Sequence, residues 1–118
     1  MKIDRSLLSG STTLLVLKML SEGEKYGYQM IQELAARSDR TFELKEGTLY
    51  PILHDLENKG CVEAELRETP AGRQRRYYRI TDKGLKLLEE KTAEWKLFSE
   101  KVNDLVLGPA PRPAPAAL

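Results

Sequence analysis

The spacing of apolar side chains predicts two helices in the first third of the chain. Residues 7–20 carry closely spaced leucines, which is typical of a largely buried helix. A second helix is predicted over about 26–38. Its inner stripe consists of Ile31, Leu34 and Ala35. The connector 39–46 alternates apolar and charged residues over part of its length, which allows a short extended piece.

A third helix is predicted from near Thr48 to Gly60. Pro51 limits its start, because proline is tolerated in a first turn, where its nitrogen would have no helical partner. Apolar residues recur at i, i+3, i+4 and i+7 and define a buried face of Leu49, Ile52, Leu53 and Leu56. The outward positions are then Thr48, Tyr50, Pro51, His54, Asp55 and Asn58.

After residue 60 the pattern changes from a helical period to alternation. Residues 62–67 predict a half-buried strand, with Val62, Ala64 and Leu66 on its inner side. Residues 69–72 form a turn, and a second strand follows over 75–80 with Tyr78 and Ile80 on one face. The sequence therefore predicts a β-hairpin after three helices.

A long fourth helix is predicted from a cap at Thr81 or Asp82 to about Leu107. Along it a seam repeats every three and four residues: Leu85, Leu88, Thr92, Trp95, Ser99, Val102 and Val106. Such a seam needs a partner helix, because a small domain would otherwise expose a large apolar stripe. Homodimerisation is the simplest solution. The Pro/Ala-rich tail over 108–118 is expected to be disordered.

The fold class is therefore mainly α with a small β-hairpin: a winged helix-turn-helix plus a long C-terminal dimerisation helix. We expect a DNA-binding domain over residues 1–80, a dimerisation helix over 81–107 and the tail over 108–118.

Charge is distributed unevenly along the chain. The formal net charge is only +1, yet residues 67–83 contain six basic and two acidic side chains. A basic hairpin suits contact with DNA phosphates or the minor groove. The alternative is that these charges protect an exposed sheet edge from aggregation.

The composition narrows the classes of function. One cysteine, Cys61, excludes an internal disulfide and favours a reducing compartment, and a single histidine leaves too few ligands for a zinc site without several carboxylates. No stretch approaches the roughly 20 apolar residues of a membrane span. We expect a cytoplasmic protein that is not an enzyme, has no cofactor and has no membrane partner. Cys61 is expected on the exposed side where the first strand starts.

Three motifs in this order resemble the PadR family of bacterial transcriptional regulators. They are 26–28 (Tyr-Gly-Tyr), 47–60 (opening Gly-Thr-Leu-Tyr-Pro-Ile-Leu) and 72–84 (opening Gly-Arg-Gln-Arg-Arg-Tyr-Tyr). The single last helix is similar to that of the smaller PadR subfamily, which includes multidrug-sensing repressors. Ala71 departs from the pattern, since the family often has a second glycine there. The resemblance implies a homodimeric repressor on a pseudo-palindromic operator. A winged-helix module that binds protein instead of DNA is the alternative, and it predicts no salt-dependent DNA binding.

The expected DNA contacts combine the outward face of the third helix with the hairpin. They are Tyr26, Lys45, Thr48, Tyr50, Pro51, His54, Arg73, Arg75 and Arg76. The resemblance favours Thr48 and Tyr50, which can donate to phosphate oxygens. For Lys45 and His54, simple exposure to solvent is an equal alternative.

An effector pocket is a further hypothesis. Thr92 and Ser99 are small and flank Trp95, which would leave space at a dimer interface, and Leu14 and Lys18 would complete it. In related multidrug-sensing PadR proteins a tryptophan on the last helix stacks on planar aromatic ligands. The alternative is that Trp95 is an ordinary packed interface residue.

Overall fold

A computed structural model describes residues 3–110 and contains five helices and three strands within them. In chain order these are α1 (Arg5–Ser9), α2 (Thr12–Ser21), β1 (Lys25–Tyr26), α3 (Gly27–Arg37), α4 (Glu46–Asn58), β2 (Val62–Glu68), β3 (Gln74–Ile80) and α5 (Asp82–Leu107). The predicted fold class, mainly α with a small β-hairpin and a long C-terminal helix, is confirmed. Most of the predicted disordered tail, residues 111–118, lies outside the described residues.

The first predicted helix is interrupted. It is split at Gly10 and Ser11 into α1 and α2. The hydroxyls of Ser11 and Thr12 both donate to the carbonyl of Leu8, at 3.0 Å each. Glycine and serine have low helix propensity, and a hydroxyl that bonds a nearby carbonyl competes with the helix ladder. The continuous helix over 7–20 is therefore wrong.

The sheet has one strand more than the hairpin. Its order is β1-β3-β2, and both pairs are antiparallel. Tyr26 pairs with Tyr77, and Val62 pairs with Ile80. A two-residue strand is too short to leave an alternation pattern, so β1 could not be predicted. No strand forms within the connector before α4, although the backbone of Lys45 is extended.

Helix α4 begins two residues earlier than predicted, at Glu46. Pro51 is therefore in its second turn, and the carbonyl of Gly47 lacks its helical donor. The predicted buried face is correct at Leu49, Leu53 and Leu56, while Ile52 is partly buried.

The core lies where α2, α3 and α4 meet the base of the hairpin. Its fully buried side chains include Val16, Leu17, Leu20, Met30, Leu49, Leu53, Leu56 and Val62. Leu66 pairs with Arg76 and shares its face of the hairpin with Val62 and Ala64, but the hairpin extends beyond the helices there, so Leu66 is 59 % exposed. Cys61 is only 3 % exposed, which contradicts its predicted exposed position, because the turn that carries it lies beneath the start of α5.

The first turn of α5 is fixed to the end of the α4–β2 turn. The Thr81 backbone N–H donates to the Cys61 carbonyl at 3.0 Å, and the Thr81 hydroxyl donates to the Gly60 carbonyl at 2.7 Å. The same hydroxyl accepts from the Gly84 N–H at 3.1 Å, which confirms the predicted cap at Thr81.

Most of α5 projects away from the core. Only its early part, around Leu87 and Leu88, packs against the other elements, and Gly84 is its one buried residue. Its exposed apolar side chains are Leu85, Trp95, Leu97, Phe98, Val102, Leu105, Val106 and Leu107. Within residues 3–110 no helix combines the length and apolar character needed to cross a membrane.

Gly84 is required by this junction. A Cβ there would overlap the Cys61 carbonyl oxygen and would lie 2.6 Å from Cγ1 of Ile80. We expect Gly84→Ala to destabilise the fold by about 1–3 kcal/mol, despite the better helix propensity of alanine. Urea unfolding measures the change. Gly47→Ala is the matched control, since a Cβ at Gly47 meets nothing within 4 Å. A Gly84→Ala variant as stable as that control would contradict the close packing.

Candidate nucleic-acid interface

The outward face of α4 presents the predicted polar side chains to solvent. Thr48, Pro51 and His54 are exposed, and Tyr50 is 42 % exposed. Because successive helical residues are about 100° apart, Pro51 and His54 lie in the middle of this face. Tyr50 lies on one flank and Thr48 on the other. The sequence therefore identified this face correctly, although it did not show what lies beside each flank.

The Tyr50 flank is shaped by the start of α3. A Cβ at Gly27 would lie 2.5 Å from the Tyr50 hydroxyl oxygen and 2.8 Å from Cζ. Gly27 is buried, so the Tyr50 ring lies directly against its backbone. The Tyr-Gly-Tyr motif was visible in the sequence, but the purpose of its glycine appears only from this contact.

Tyr26 connects the start of α3 to the wing, the hairpin β2–β3. Its ring meets the edge of Tyr77 with 5.5 Å between centroids. The Arg75 guanidinium lies over the Tyr26 ring, 4.4 Å from its centroid, within cation–π range. Arg75 is thus held on the face of the sheet that carries Tyr26.

Arg76 points to the opposite face, because side chains alternate along a strand. Its Nη2 donates to both carboxylate oxygens of Glu57 on α4, at 3.0 and 3.1 Å. Arg73 stands beside the hairpin turn, where its backbone N–H donates to the Thr69 hydroxyl at 3.2 Å. The three arginines that the sequence grouped together therefore occupy three different environments.

Tyr78 is buried on the face of β3 that also carries Arg76. Burial raises the pKa of Tyr78 above its ordinary value, with Glu57 and Tyr50 adding to the rise and Arg76 opposing it. The Arg76–Glu57 ion pair connects α4 to the inner face of the wing, where Tyr78 is buried.

The positive charge of the wing is smaller than the sequence count suggested. Arg67 forms ion pairs with Glu24 and Glu65, and Arg79 pairs with Glu63. The Arg67 guanidinium also lowers the pKa of the Glu24 carboxyl. Antiparallel register places Glu63 opposite Arg79, which explains that pair. Within residues 3–110, Arg73 and Arg75 have no carboxylate within ion-pair distance.

The last residue that the sequence predicts to contact DNA, Lys45, lies at the start of α4. Lys45 is the N-cap residue of α4 and is exposed. Together with Thr48 it lines a groove between α1 and α4.

The predicted effector residues are only partly brought together. Leu14 and Trp95 line a groove of about 510 Å³ between the α1–α2 segment and α5. Lys18, Thr92 and Ser99 lie outside its lining, and the Thr92 hydroxyl donates to the Leu88 carbonyl at 2.7 Å. The sequence missed Phe98, which also lines the groove with its ring centroid 6.0 Å from that of Trp95. Its position three residues after Trp95, one helical turn away, was the available signal.

A helix with an exposed polar face, a preceding helix against its flank and a β-hairpin wing within a three-stranded sheet define the fold as a winged helix. Comparisons with known proteins give the family. Residues 16–90 match the transcriptional regulator PadR-like family. The chain belongs to this family and is a transcriptional regulator.

Similar proteins support this assignment. The chain is 35 % identical over 86 residues to the transcriptional regulator Rv3488 of Mycobacterium tuberculosis, covering 73 % of this chain and 77 % of that protein. A transcriptional regulator from Clostridium thermocellum has a similar structure, with a TM-score of 0.81, 32 % identity and coverage of 88 % of this chain and 98 % of that one. A PadR-like transcriptional regulator from Bacillus cereus aligns with a TM-score of 0.74 and 36 % identity, over 88 % and 99 % of the two chains.

Proposed function

We propose that the protein binds double-stranded DNA as a homodimer, with α4 in the major groove, and represses transcription from a pseudo-palindromic operator. The observation that carries this proposal is the exposed face of α4, with Tyr50 held against Gly27 on the flank that faces the wing. In a helix-turn-helix the second helix enters the major groove and reads it mainly with its N-terminal residues. Here that helix is α4.

In this proposal the side chains divide between positioning and base reading. Thr48 and Tyr50 donate hydroxyl hydrogens to phosphates on either side of the groove, while Pro51 and His54 face the base edges. Arg75 meets a phosphate with its guanidinium already held on the Tyr26 ring, so little side-chain freedom is lost on binding. Arg73 at the turn contacts the backbone without such support.

The exposed apolar side chains of α5 support the dimer. Trp95, Val102 and Val106 belong to the predicted seam and are all exposed in the single chain. Association through α5 would cover them and would present two copies of α4 to one duplex. Half-sites are then expected about 34–36 Å apart, or a multiple of that distance.

Selection of bound sites from random double-stranded DNA at two salt concentrations tests the proposal. We expect a two-fold symmetric site and an affinity that falls steeply as salt rises. An asymmetric site would contradict the dimer. Absence of salt-dependent binding would contradict DNA recognition and favour the winged-helix module that binds protein.

The wing arginines are expected to contribute unequally. Log affinity falls as log salt rises, and Arg75→Ala should make this fall shallower by roughly 0.9 in slope, the value of one phosphate contact. Arg76→Ala should change it less, since Glu57 already binds that guanidinium. Glu57→Gln should release Arg76, which should raise the affinity for DNA and make its dependence on salt steeper. Fluorescence anisotropy with a labelled duplex measures these quantities, and Lys101→Ala on α5 is the control. Equal losses for Arg75→Ala and Arg76→Ala would show that the Glu57 pair breaks on binding.

Gly27 is expected to act on DNA affinity through Tyr50. Gly27→Ala should displace the Tyr50 ring, and loss of its hydrogen bond to a charged phosphate should weaken binding by roughly 1.5 kcal/mol, about tenfold. In a Tyr50→Ala background the same change should have little further effect, because coupled residues are not additive. A double-mutant cycle in the same anisotropy assay measures the coupling. If the losses of DNA affinity were additive, Gly27 would not act through Tyr50.

We also propose that a planar aromatic effector enters the groove beside Trp95. Leu14, Trp95 and Phe98 provide apolar and aromatic walls, and the groove is also lined by one cation and one carboxylate, Lys91 and Glu94. Aromatic stacking contributes about 0.5–1.5 kcal/mol beyond burial.

Because Trp95 is the only tryptophan, its fluorescence reports directly on this groove. Titration with planar aromatic cations and phenolic compounds should give saturating quenching and should lower DNA affinity. Phe98→Ala should weaken binding of the ligand, whereas Thr92→Ala should not, since Thr92 lies outside the groove. The opposite pattern would indicate that the ligand binds at the α5 seam and not in the groove. No quenching across a broad panel, in an intact dimer, would leave Trp95 as an interface residue.

A further inference from the structure

A set of basic side chains lies on the flank of α4 opposite the wing. Two adjoining grooves there separate α1, the α3–α4 connector and the start of α4. Arg5 and Lys45 line both grooves, Thr48 lines the first and Arg40 lines the second. All four residues are exposed. We call Arg5, Arg40 and Lys45 the second basic patch.

The lining of these grooves is predominantly cationic. Glu43 is the one acidic residue among the described residues that line either groove. Asp4 is next to Arg5 in sequence, but its carboxylate accepts from the N–H and the hydroxyl of Ser6, at 2.9 and 2.8 Å. In the described part of the chain, no carboxylate lies within 4.0 Å of a cationic nitrogen of the patch. This contrasts with Arg67, Arg76 and Arg79 of the wing.

The backbone at Arg40 is an independent observation. Arg40 has φ of 61° and follows Asp39 with φ of 52°, so two consecutive non-glycine residues adopt the left-handed region after α3. Glycine and asparagine are the residues that normally end a helix in this conformation, and a long side chain adds steric strain there. The turn is closed by backbone bonds, since the Arg40 N–H donates to the Ala35 carbonyl at 2.7 Å. Nothing in the turn itself requires an arginine, so strain at this position points to a function of the side chain.

We infer that the second basic patch binds the phosphate backbone along the edge of the major groove opposite the wing. This inference rests on the proposed function and extends it to residues beyond α4 and the wing. A helix in the major groove, which is about 12 Å wide, has a phosphate strand on each side. The wing and Tyr50 meet one strand, and Arg5, Arg40, Lys45 and Thr48 meet the other. Contacts on both strands fix the rotation of α4 in the groove, which phosphate contacts on one side alone would leave loose.

Two substitutions in the same turn separate the arginine side chain from the backbone. Arg40→Gly removes the cation and relieves the left-handed strain, while Asp39→Gly relieves the same kind of strain and removes a negative charge. We expect both variants to melt at or above the wild-type temperature. Arg40→Gly should weaken binding to a selected site and to a random-sequence duplex by the same factor, and Asp39→Gly should not weaken either.

Salt dependence identifies the lost contact. The slope of log affinity against log salt should fall by roughly 0.9 in Arg40→Gly, so its deficit should shrink about 3.5-fold between about 50 and about 200 mM salt. Arg5→Gln, which leaves the backbone of the turn unchanged, should give the same slope change. Glu43→Gln should raise affinity, because it removes the one carboxylate from the grooves.

The outcomes distinguish this inference from the proposed function. Unchanged affinity and slope in both Arg40→Gly and Arg5→Gln, with Arg75→Ala weakened, would overturn the second basic patch and retain DNA binding. A fall in affinity with an unchanged slope would also overturn it, because that indicates a displaced α4 and not a lost phosphate. Wild-type protein that shows no salt-dependent binding would overturn the proposed function itself.

Discussion

The close approach of α5 to the turn after α4 is the constraint on which the rest of the structure depends. Gly60 adopts φ of 75° and ends the α4 segment, Cys61 leads into β2, and Thr81 leads from β3 into α5. The Thr81 bonds to Gly60 and Cys61 bring these three elements together at one place. The absence of a side chain at Gly84 allows that contact. The helix proposed for DNA, the wing and the helix proposed for dimerisation therefore share a single short junction.

Sequence pattern was sufficient where one local periodicity decided the structure. The buried stripe of α4, the alternation at the base of β2 and the cap at Thr81 all follow from residues close together in the chain. Pattern failed where a contact joins distant segments. The strand β1 exists because Tyr26 pairs with Tyr77, and Cys61 is buried because α5 covers its turn. Neither partner can be read from spacing within one element.

The same distinction applies to the charges of the candidate site. Residues 67–83 contain an excess of cations. The carboxylates that form ion pairs with three of them lie elsewhere in the sequence, at Glu24, Glu57 and Glu63. Exposed pairs of this kind add little to stability. Their consequence is for binding, since an arginine that is already paired has less to gain from a phosphate. Free cations, and not the total number of cations, therefore determine which parts of the surface suit DNA.

The junction also determines how an effector beside Trp95 would act on α4. The groove lies between α5 and the α1–α2 segment, so a ligand there would change the preferred angle between α5 and the body of the domain. In a dimer held by α5, that angle sets the separation of the two copies of α4. A ligand that bound both arrangements equally would shift nothing, however tightly it bound. Regulation therefore requires that the groove differ in shape between the two arrangements. An open groove whose walls belong to separate elements would change shape if those elements moved relative to one another, whereas a cavity enclosed within the α2–α4 core would keep one shape in both.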